Sequence, residues 1–193
     1  MIAPEVLLQG YRLGVFPMAM EDGSIEWFSP DPRGILPLDD FHRPHALEQV
    51  MRKGNFEIRI NTSFGRVMRR CAERPETWIN SEIIQSYTRL HERGHAHSVE
   101  TWLEGRLAGG LYGVTLGGAF FGESMFHEVT DASKVALCAL VERLRAQKFV
   151  LLDTQWSTPH LQRFGVVEIP RPEYMHLLTR AVALTRKFSD DGL

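Results

Sequence analysis

The chain has 193 residues, of which 44% are hydrophobic, and a net charge of −2, so it can bury a full core and is not a disordered protein. It has no run of about 18 apolar residues, which argues against a membrane span, and its first residues lack the pattern of a secretion signal. Cys71 and Cys138 are typical of reduced packing residues, so we expect a cytoplasmic protein.

The first 40 residues place proline and glycine beside apolar side chains, which predicts irregular backbone fixed to a core. In the next part of the chain, the periodicities predict a helix at about 44–54, a strand at 56–60 and helices at about 63–73 and 81–93. Ser63 is a suitable cap for the helix at 63–73, and Asn80 or Ser81 for the helix at 81–93.

The second half of the chain reads as an antiparallel meander followed by alternating helices and strands. In order, we predict strands at about 98–103, 106–114 and 119–126, a helix at 132–147 capped by Thr130 or Asp131, a strand at 149–155, a short helical turn near 160–164, a strand at 166–169 and a helix at 172–184.

This succession predicts an α+β protein with an acetyltransferase-like mixed sheet domain and a small N-terminal α/β domain. We expect the small domain to cover residues 1–61 and the acetyltransferase-like domain to cover residues 62–193. An acetyltransferase holds the coenzyme diphosphate on a glycine-rich turn that opens a helix. The corresponding turn, at residues 127–133, has no glycine and two acids, so we expect no coenzyme site.

Three polar side chains follow or interrupt apolar strands. Asp153 and Gln155 project to the same face of a strand, roughly 7 Å apart at Cα, and burying them is costly unless they are used. They could orient an amine and a reacting carbonyl, or they could cap the strand end. Glu123 could bind a cationic group of a substrate, or it could pair with Lys134 or an arginine.

The positive charge is concentrated in one segment. Residues 41–70 carry seven basic and two acidic side chains, which gives a local charge of +5 and leaves −7 for the remainder. A basic lobe of this kind fits contact with phosphates, and two solvated helix faces would give the same pattern. The candidate phosphate ligands are Arg43, Arg52, Lys53, Arg66, Arg69 and Arg70.

Several aromatic residues carry a polar atom that could serve packing or, alternatively, stack on a nucleobase. They are Trp27, Trp78, Tyr87, Trp102, Tyr112 and Trp156. The histidines do not fall on metal-ligand spacing with acids or thiols, so we expect no metal site.

Nine short segments, in order from about residue 10 to 175, resemble the leucyl/phenylalanyl-tRNA–protein transferase family. Each is weakly specific alone, and together they are highly specific. They are Gly14–Pro17, Trp27–Arg33, Thr77–Ile79, His95–Glu100, Gly109–Val114, Gly122–Phe126, Ala132–Lys134, Leu152–Gln155 and Ile169–Arg171.

The resemblance implies an aminoacyltransferase that moves Leu, Phe or Met from aminoacyl-tRNA to a protein that begins with Arg or Lys. The product then carries a destabilising N-terminus, as in the N-end rule, and is handed to protein degradation. The implied partners are aminoacyl-tRNA and such proteins, with no DNA and no membrane. The implied fold is a small N-terminal domain joined to an acetyltransferase-like domain, with no coenzyme or metal cofactor.

The resemblance also implies a site. Asp153 and Gln155 would be catalytic, with Glu123 in the same polar cluster; we expect Asp153 to hold the incoming α-amine and Gln155 to fix that amine or polarise the carbonyl. Trp78 and Tyr87 would lie near the adenosine end of the tRNA. The pocket for the donor side chain would comprise Leu111, Phe120, Met125, Leu137, Leu140, Leu144 and Leu152.

The chain departs from the family pattern in several places, among them the following two. Residues 43–49 contain fewer basic side chains than the family tends to have there, and Met18 occupies a position where tryptophan is often found. Two alternatives stay open: a coenzyme A-dependent N-acetyltransferase, which the missing diphosphate turn disfavours, and a catalytically inactive RNA-binding relative, which the changes in the basic segment suggest.

Overall fold

A computed structural model describes residues 1–188 of the protein. Its helices are α1 (Pro4–Arg12), α2 (His45–Arg52), α3 (Phe64–Ala72), α4 (Ser81–Glu92), α5 (Ala132–Ala146), α6 (Pro159–Gln162) and α7 (Arg171–Val182). Its strands are β1 (Phe16–Ala19), β2 (Ile25–Phe28), β3 (Arg33–Ile35), β4 (Glu57–Ile60), β5 (Ala96–Leu103), β6 (Arg106–Leu116), β7 (Ala119–His127), β8 (Leu151–Gln155) and β9 (Val167–Ile169).

The strands form one large mixed sheet and one small hairpin. The large sheet has seven strands in the order β4-β5-β6-β7-β8-β3-β9, and β1 pairs with β2 in a separate two-stranded sheet. All neighbours in the large sheet are antiparallel except β7 and β8, which run parallel because α5 crosses between them. The predicted α+β architecture with a mixed sheet is confirmed.

The first 35 residues are more regular than predicted. The expectation of irregular backbone is wrong, because α1 starts at Pro4, a favoured first-turn residue, and buries Leu7 and Tyr11 on one face. The predicted division after residue 61 stays a prediction; β3 and β4 both precede it and both pair within the large sheet.

The large sheet separates two layers of helices. On one face, α1, α3, α4 and α7 bury their apolar side chains in a core that includes Val67, Tyr87 and Phe121. On the other face, α2 and α5 pack in a second core that includes Leu47, Leu111 and Leu140. Alternation along the strands produces this division, since successive side chains point to opposite faces.

Two of the predicted helix caps differ from the structure. Asn80 caps α4 through a hydrogen bond that its side chain accepts from the Ile83 N–H, as predicted. Asp131 precedes α5 in a left-handed conformation and makes no capping bond, because its carboxylate accepts from Lys134 instead. Ser63 likewise makes no side-chain capping bond to α3.

Close packing of α5 on the sheet depends on Gly109 of β6. A Cβ at this position would lie 2.6 Å from the Cβ of Ala132, the first residue of α5.

None of the helices within residues 1–188 has the length and apolar character needed to cross a bilayer.

Candidate active site

A cavity opens where β7 and β8 stop pairing. These parallel strands are in register only from Ala119 opposite Leu151 to Phe121 opposite Asp153, and β7 then continues for six more residues. The divergence leaves a cavity of about 380 Å³ that residues from both faces of the sheet line. We call this cavity the slot.

The walls of the slot are mainly apolar. Of the residues predicted to hold a donor side chain or its adenosine, six line it: Trp78, Leu111, Met125, Leu137, Leu140 and Leu152. The other three do not. Phe120 is buried against Phe188, Leu144 lies one turn beyond Leu140 in the second core, and Tyr87 is fully buried in the first core.

Glu123 places a carboxylate at the slot without satisfying both of its oxygens. Oε1 accepts from the Tyr11 hydroxyl at 2.7 Å and from the Gln155 side-chain amide at 3.0 Å. Oε2 is buried and has no hydrogen-bond partner among the described residues. Burial raises the pKa of Glu123 to about 7, against the lowering effect of its bonds to Tyr11 and Gln155.

Asp153 is fully buried behind the slot and does not line it. Both of its oxygens are occupied: Oδ1 accepts from Arg33 Nε at 3.0 Å and from the Gln155 backbone N–H at 2.8 Å, and Oδ2 accepts from Arg33 Nη2 at 2.7 Å and from the Tyr174 hydroxyl at 2.6 Å. A carboxylate with four donors has no free position for an incoming amine, so the structure corrects the expectation that Asp153 contacts the amine directly.

Arg33 holds Asp153 from the neighbouring strand. Its guanidinium is 1% exposed, donates to the Gly14 carbonyl at 2.9 Å and lies over the Tyr174 ring at 4.5 Å. β3 approaches β8 closely at Gly34, where a Cβ would lie 2.5 Å from the Trp156 backbone. Glycine at this position therefore allows the register that brings Arg33 to Asp153.

Gln155 links the two carboxylates. Its backbone N–H donates to Asp153 and its side-chain amide donates to Glu123, and it has a left-handed φ of 66° at the end of β8. The predicted closeness of Asp153, Gln155 and Glu123 is therefore present, as a connected network in which only Glu123 and Gln155 reach the slot.

Three buried tyrosines surround Glu123. Tyr11 donates to Glu123 and also shares a short hydrogen bond with the Tyr87 hydroxyl. Tyr112 lines the slot, and its buried hydroxyl, like Glu123 Oε2, has no hydrogen-bond partner among the described residues. Burial, and then the nearby Glu123, raises the pKa of all three well above its usual range, so they are neutral hydroxyl groups.

The structure divides the predicted tRNA-binding residues between the two faces of the sheet. Arg66, Arg69 and Arg70 belong to α3 and line one open groove with Arg106. Arg52 and Lys53 lie at the end of α2, on the opposite face, where Arg43 pairs with Glu142. The basic segment is therefore continuous in sequence only.

Several slot residues, among them Arg74, Thr154 and His160, were not proposed for the site from the sequence. Trp156, one of the aromatic residues that the sequence offered for packing or for stacking on a nucleobase, also lines the slot, is 41% exposed and has its ring 5.2 Å from that of Phe16. Arg33 falls inside a matched motif, but its partner is 120 residues away.

The described residues include no cluster of three His, Cys, Asp or Glu side chains that could hold a metal ion. At the turn before α5, where a coenzyme diphosphate would lie in an acetyltransferase, Glu128 pairs with Arg70 and Asp131 pairs with Lys134. These two carboxylates would oppose an anionic ligand at this turn.

The family models and the curated relatives identify one family. Residues 35–179 match the model of the leucyl/phenylalanyl-tRNA protein transferase family, and residues 1–31 match its N-terminal domain. A leucyl/phenylalanyl-tRNA–protein transferase from Gloeobacter violaceus is 57% identical over 188 residues, which are 97% of each chain. One from Herpetosiphon aurantiacus is 54% identical over 97% of this chain and 98% of that protein. Among solved structures, L-PGS from Bacillus licheniformis matches with a TM-score of 0.49 and 12% identity over 92% of this chain and 70% of that chain.

Proposed function

This chain belongs to the leucyl/phenylalanyl-tRNA protein transferase family, and from that premise we propose how its slot performs the reaction. The enzyme is an aminoacyltransferase that moves an aminoacyl group from tRNA to a protein.

The donor side chain occupies the apolar part of the slot. Leu137 and Leu140 of α5, Leu111 of β6, Met125 of β7 and Leu152 of β8 surround a space that suits Leu, Phe or Met. A charged side chain would lose its hydration there without gaining a partner, which disfavours it. The flat rings of Trp78 and Trp156 at the same cavity offer stacking surfaces to the terminal nucleoside of the tRNA.

The acceptor amine meets Glu123 and Gln155. Glu123 and Tyr112 line the slot, and within residues 1–188 the buried Glu123 Oε2 and Tyr112 hydroxyl oxygens have no hydrogen-bond partner. An α-ammonium group carries three N–H donors that could bind them. Of the residues that line the slot, only Glu123 has a carboxylate, and its charge favours an acceptor whose first residue is Arg or Lys. Asp153 acts through Gln155 and is a positioning residue in this scheme.

The chemical step needs alignment more than strong catalysis, because an aminoacyl ester is already activated. The amine nitrogen forms a bond to the ester carbonyl carbon, and the bond from that carbon to the ribose oxygen breaks. Glu123 Oε2 first takes one proton from the bound ammonium, which frees the lone pair of the nitrogen, and passes this proton to the ribose oxygen as that oxygen leaves. Glu123 then takes the second proton that the nitrogen loses as the amide forms and releases it to solvent. The pKa of Glu123, about 7, is close to the value of about 8 for an N-terminal amine, so this transfer costs little.

We place the reaction in the cytoplasm, where aminoacyl-tRNA is available, and assign its product to protein degradation by the N-end rule. The added Leu, Phe or Met would replace Arg or Lys as the first residue of the protein. The single observation that carries the proposal is an apolar slot that ends at a buried carboxylate with one unsatisfied oxygen.

One assay tests the proposal directly. Leu-tRNA is mixed with the protein and with a peptide that begins with Arg, and the peptide mass is followed. We expect the peptide to gain one leucine residue, and we expect a matched peptide that begins with Glu to stay unchanged. If no leucyl peptide forms, the assignment of the donor is contradicted. If both peptides are modified equally, the assignment of the acceptor is contradicted.

A further inference from the structure

The carboxylate of Glu123 and the hydroxyl of Tyr112 come together at a β-bulge between β6 and β7. The register pairs Gly113 with Gly122 and Tyr112 with Ser124, so Glu123 is the extra residue that has no partner opposite it on β6. Burial, and then the charge of Glu123, raises the pKa of Tyr112, so the two groups are close in space. Both residues line the slot and form its polar end.

This polar end offers two free oxygen atoms to a small ligand. The two hydrogen bonds that Glu123 accepts, from Tyr11 and Gln155, are both made at Oε1. Within residues 1–188, Glu123 Oε2 and the Tyr112 hydroxyl are buried and have no hydrogen-bond partner. A water molecule donates two hydrogen bonds and accepts two, so it suits a carboxylate oxygen beside a hydroxyl group.

Water can reach this position because the slot is open to solvent. Two of the residues that line it, Trp156 and Thr158, are exposed. The oxygen atoms that would bind water are the same atoms that bind the acceptor amine in the proposed function. Water and amine therefore compete for one position beside the donor ester.

We propose that the protein also hydrolyses its aminoacyl-tRNA donor when no acceptor occupies the slot, with Glu123 as the base that activates water. This inference rests on the proposed function, since it uses the same donor in the same place. The water oxygen forms a bond to the ester carbonyl carbon, and the bond from that carbon to the ribose oxygen breaks. Glu123 Oε2 takes a proton from the water and passes it to the ribose oxygen, and the carboxylic acid of the released amino acid ionises in solvent.

The charge at the polar end explains why an acceptor protein suppresses this hydrolysis. An α-ammonium group is attracted by the carboxylate of Glu123, whereas water is neutral. An acceptor that binds therefore displaces the water, and nitrogen attacks the ester carbon instead of oxygen. Hydrolysis and transfer are alternative outcomes for one bound donor, and their proportion depends on the concentration of the acceptor.

The groups that face Glu123 make it a base near neutral pH. Burial raises its pKa to about 7, the hydrogen bonds from Tyr11 and Gln155 lower it, and the charges of Asp153 and Arg33 respectively raise and lower it. The three tyrosines around it are neutral at this pH. Hydrolysis by the protein should therefore rise with pH through about 7 and then level off, without the further rise through about 8 that an acceptor amine gives to transfer.

The test follows free leucine released from Leu-tRNA that is labelled in its leucine, with the protein in excess over the tRNA. The spontaneous release without protein is subtracted at each pH. E123Q removes the base. E100Q is the matched control, because Glu100 is a buried glutamate of the same sheet that accepts four hydrogen bonds and does not line the slot. Two peptides are added in separate reactions: one that begins with Arg, and the same peptide with its α-amine acetylated.

We expect the wild-type protein and E100Q to release leucine about tenfold or more faster than the spontaneous reaction near neutral pH, which is within the contribution of a general base. E123Q should release it at no more than about a tenth of the wild-type rate. The Arg peptide should suppress the release of free leucine and gain the leucine itself, whereas the acetylated peptide should do neither.

Release at the spontaneous rate by wild-type protein that transfers leucine to the Arg peptide would overturn this inference and leave the proposed function intact. Equal release by the wild-type protein and E123Q would also overturn it, because Glu123 would not be the base. Equal suppression by both peptides would contradict the shared position of water and amine. Release of free leucine without any transfer to the Arg peptide would support the hydrolysis and refute the proposed function.

Discussion

Two buried glutamates on the same sheet have opposite surroundings. Glu100 of β5 receives hydrogen bonds from four donors: the Thr62 hydroxyl, the Ser63 N–H, the Ser98 hydroxyl and the Trp102 indole. Glu123 of β7 is also buried, but one of its oxygens has no partner in the part of the chain that the structure describes. A buried carboxylate whose two oxygens both accept hydrogen bonds stabilises the fold. A buried carboxylate oxygen without a donor lowers the stability, and at the wall of a cavity it indicates a functional site.

The first prediction concerns E123Q, which should reduce transfer by about 10²-fold or more, the usual contribution of a general base. Wild-type activity should rise with pH through about 7, where Glu123 ionises, and the variant should keep only the rise through about 8 that belongs to the acceptor amine. The measurement is transfer from Leu-tRNA across pH 5.5–8.5. Near-normal transfer by E123Q would remove Glu123 from the chemistry.

The same substitution should increase stability, because the folded pKa of Glu123 lies above its ordinary value of 4.5. The folded protein then favours the protonated form, whose stabilising effect is complete below pH 4.5 and is lost as pH rises through about 7. Above pH 7 the ionised group costs about 3 kcal/mol, which glutamine avoids. Urea unfolding at pH 8 should therefore show E123Q to be more stable than wild type, and at pH 4.5 the difference should be small.

The second prediction concerns D153N, which leaves the buried Arg33 guanidinium without its counter-charge. We expect the free energy of unfolding to fall by about 3–5 kcal/mol. Transfer should fall as well because Gln155 loses a fixed partner, while donor binding should persist because Asp153 does not line the slot. Urea unfolding and donor binding check these outcomes, and unchanged stability would mean that the Arg33–Asp153 pair contributes nothing.

The third prediction concerns E100Q, which is the matched control for E123Q. The side-chain amide of glutamine accepts only at its oxygen, so at least one of the four donors loses its partner. We expect the free energy of unfolding to fall by about 2 kcal/mol. At saturating donor, transfer per folded molecule should stay within about threefold of wild type. A large loss of transfer in a folded E100Q protein would erase the distinction between the two glutamates.

The sequence predicted the elements with strong periodicity well. The helix predicted at 132–147 is α5 at Ala132–Ala146, and the meander from β5 to β7 is where alternation placed it. The short strands β1, β2 and β3 span only three or four residues, too few to show a period of two. For this reason the sequence pattern did not predict the regular strands within the first 35 residues.

Contacts between distant residues were beyond the sequence pattern. The role of Asp153 depends on Arg33, which reaches it only because β3 pairs with β8 in one particular register. The basic segment is divided between two faces of the sheet because α3 packs in the first core and α2 in the second. Both helices are amphipathic, so the sequence of each does not show which core it joins. The spacing of charges alone cannot distinguish these arrangements.

The fourth prediction concerns two leucines one turn apart on α5. The helical stripe predicted that both Leu140 and Leu144 would line the donor pocket, but only Leu140 does. L140A enlarges the slot, so the ratio of Phe to Leu transfer should rise about tenfold, the usual range for a few methylene groups. L144A should lower stability by about 2–5 kcal/mol and leave the ratio unchanged, because its cavity forms in the core. Competition between Phe-tRNA and Leu-tRNA measures the ratio, and equal shifts in both variants would mean that donor selection depends on the whole helix and not on the slot wall.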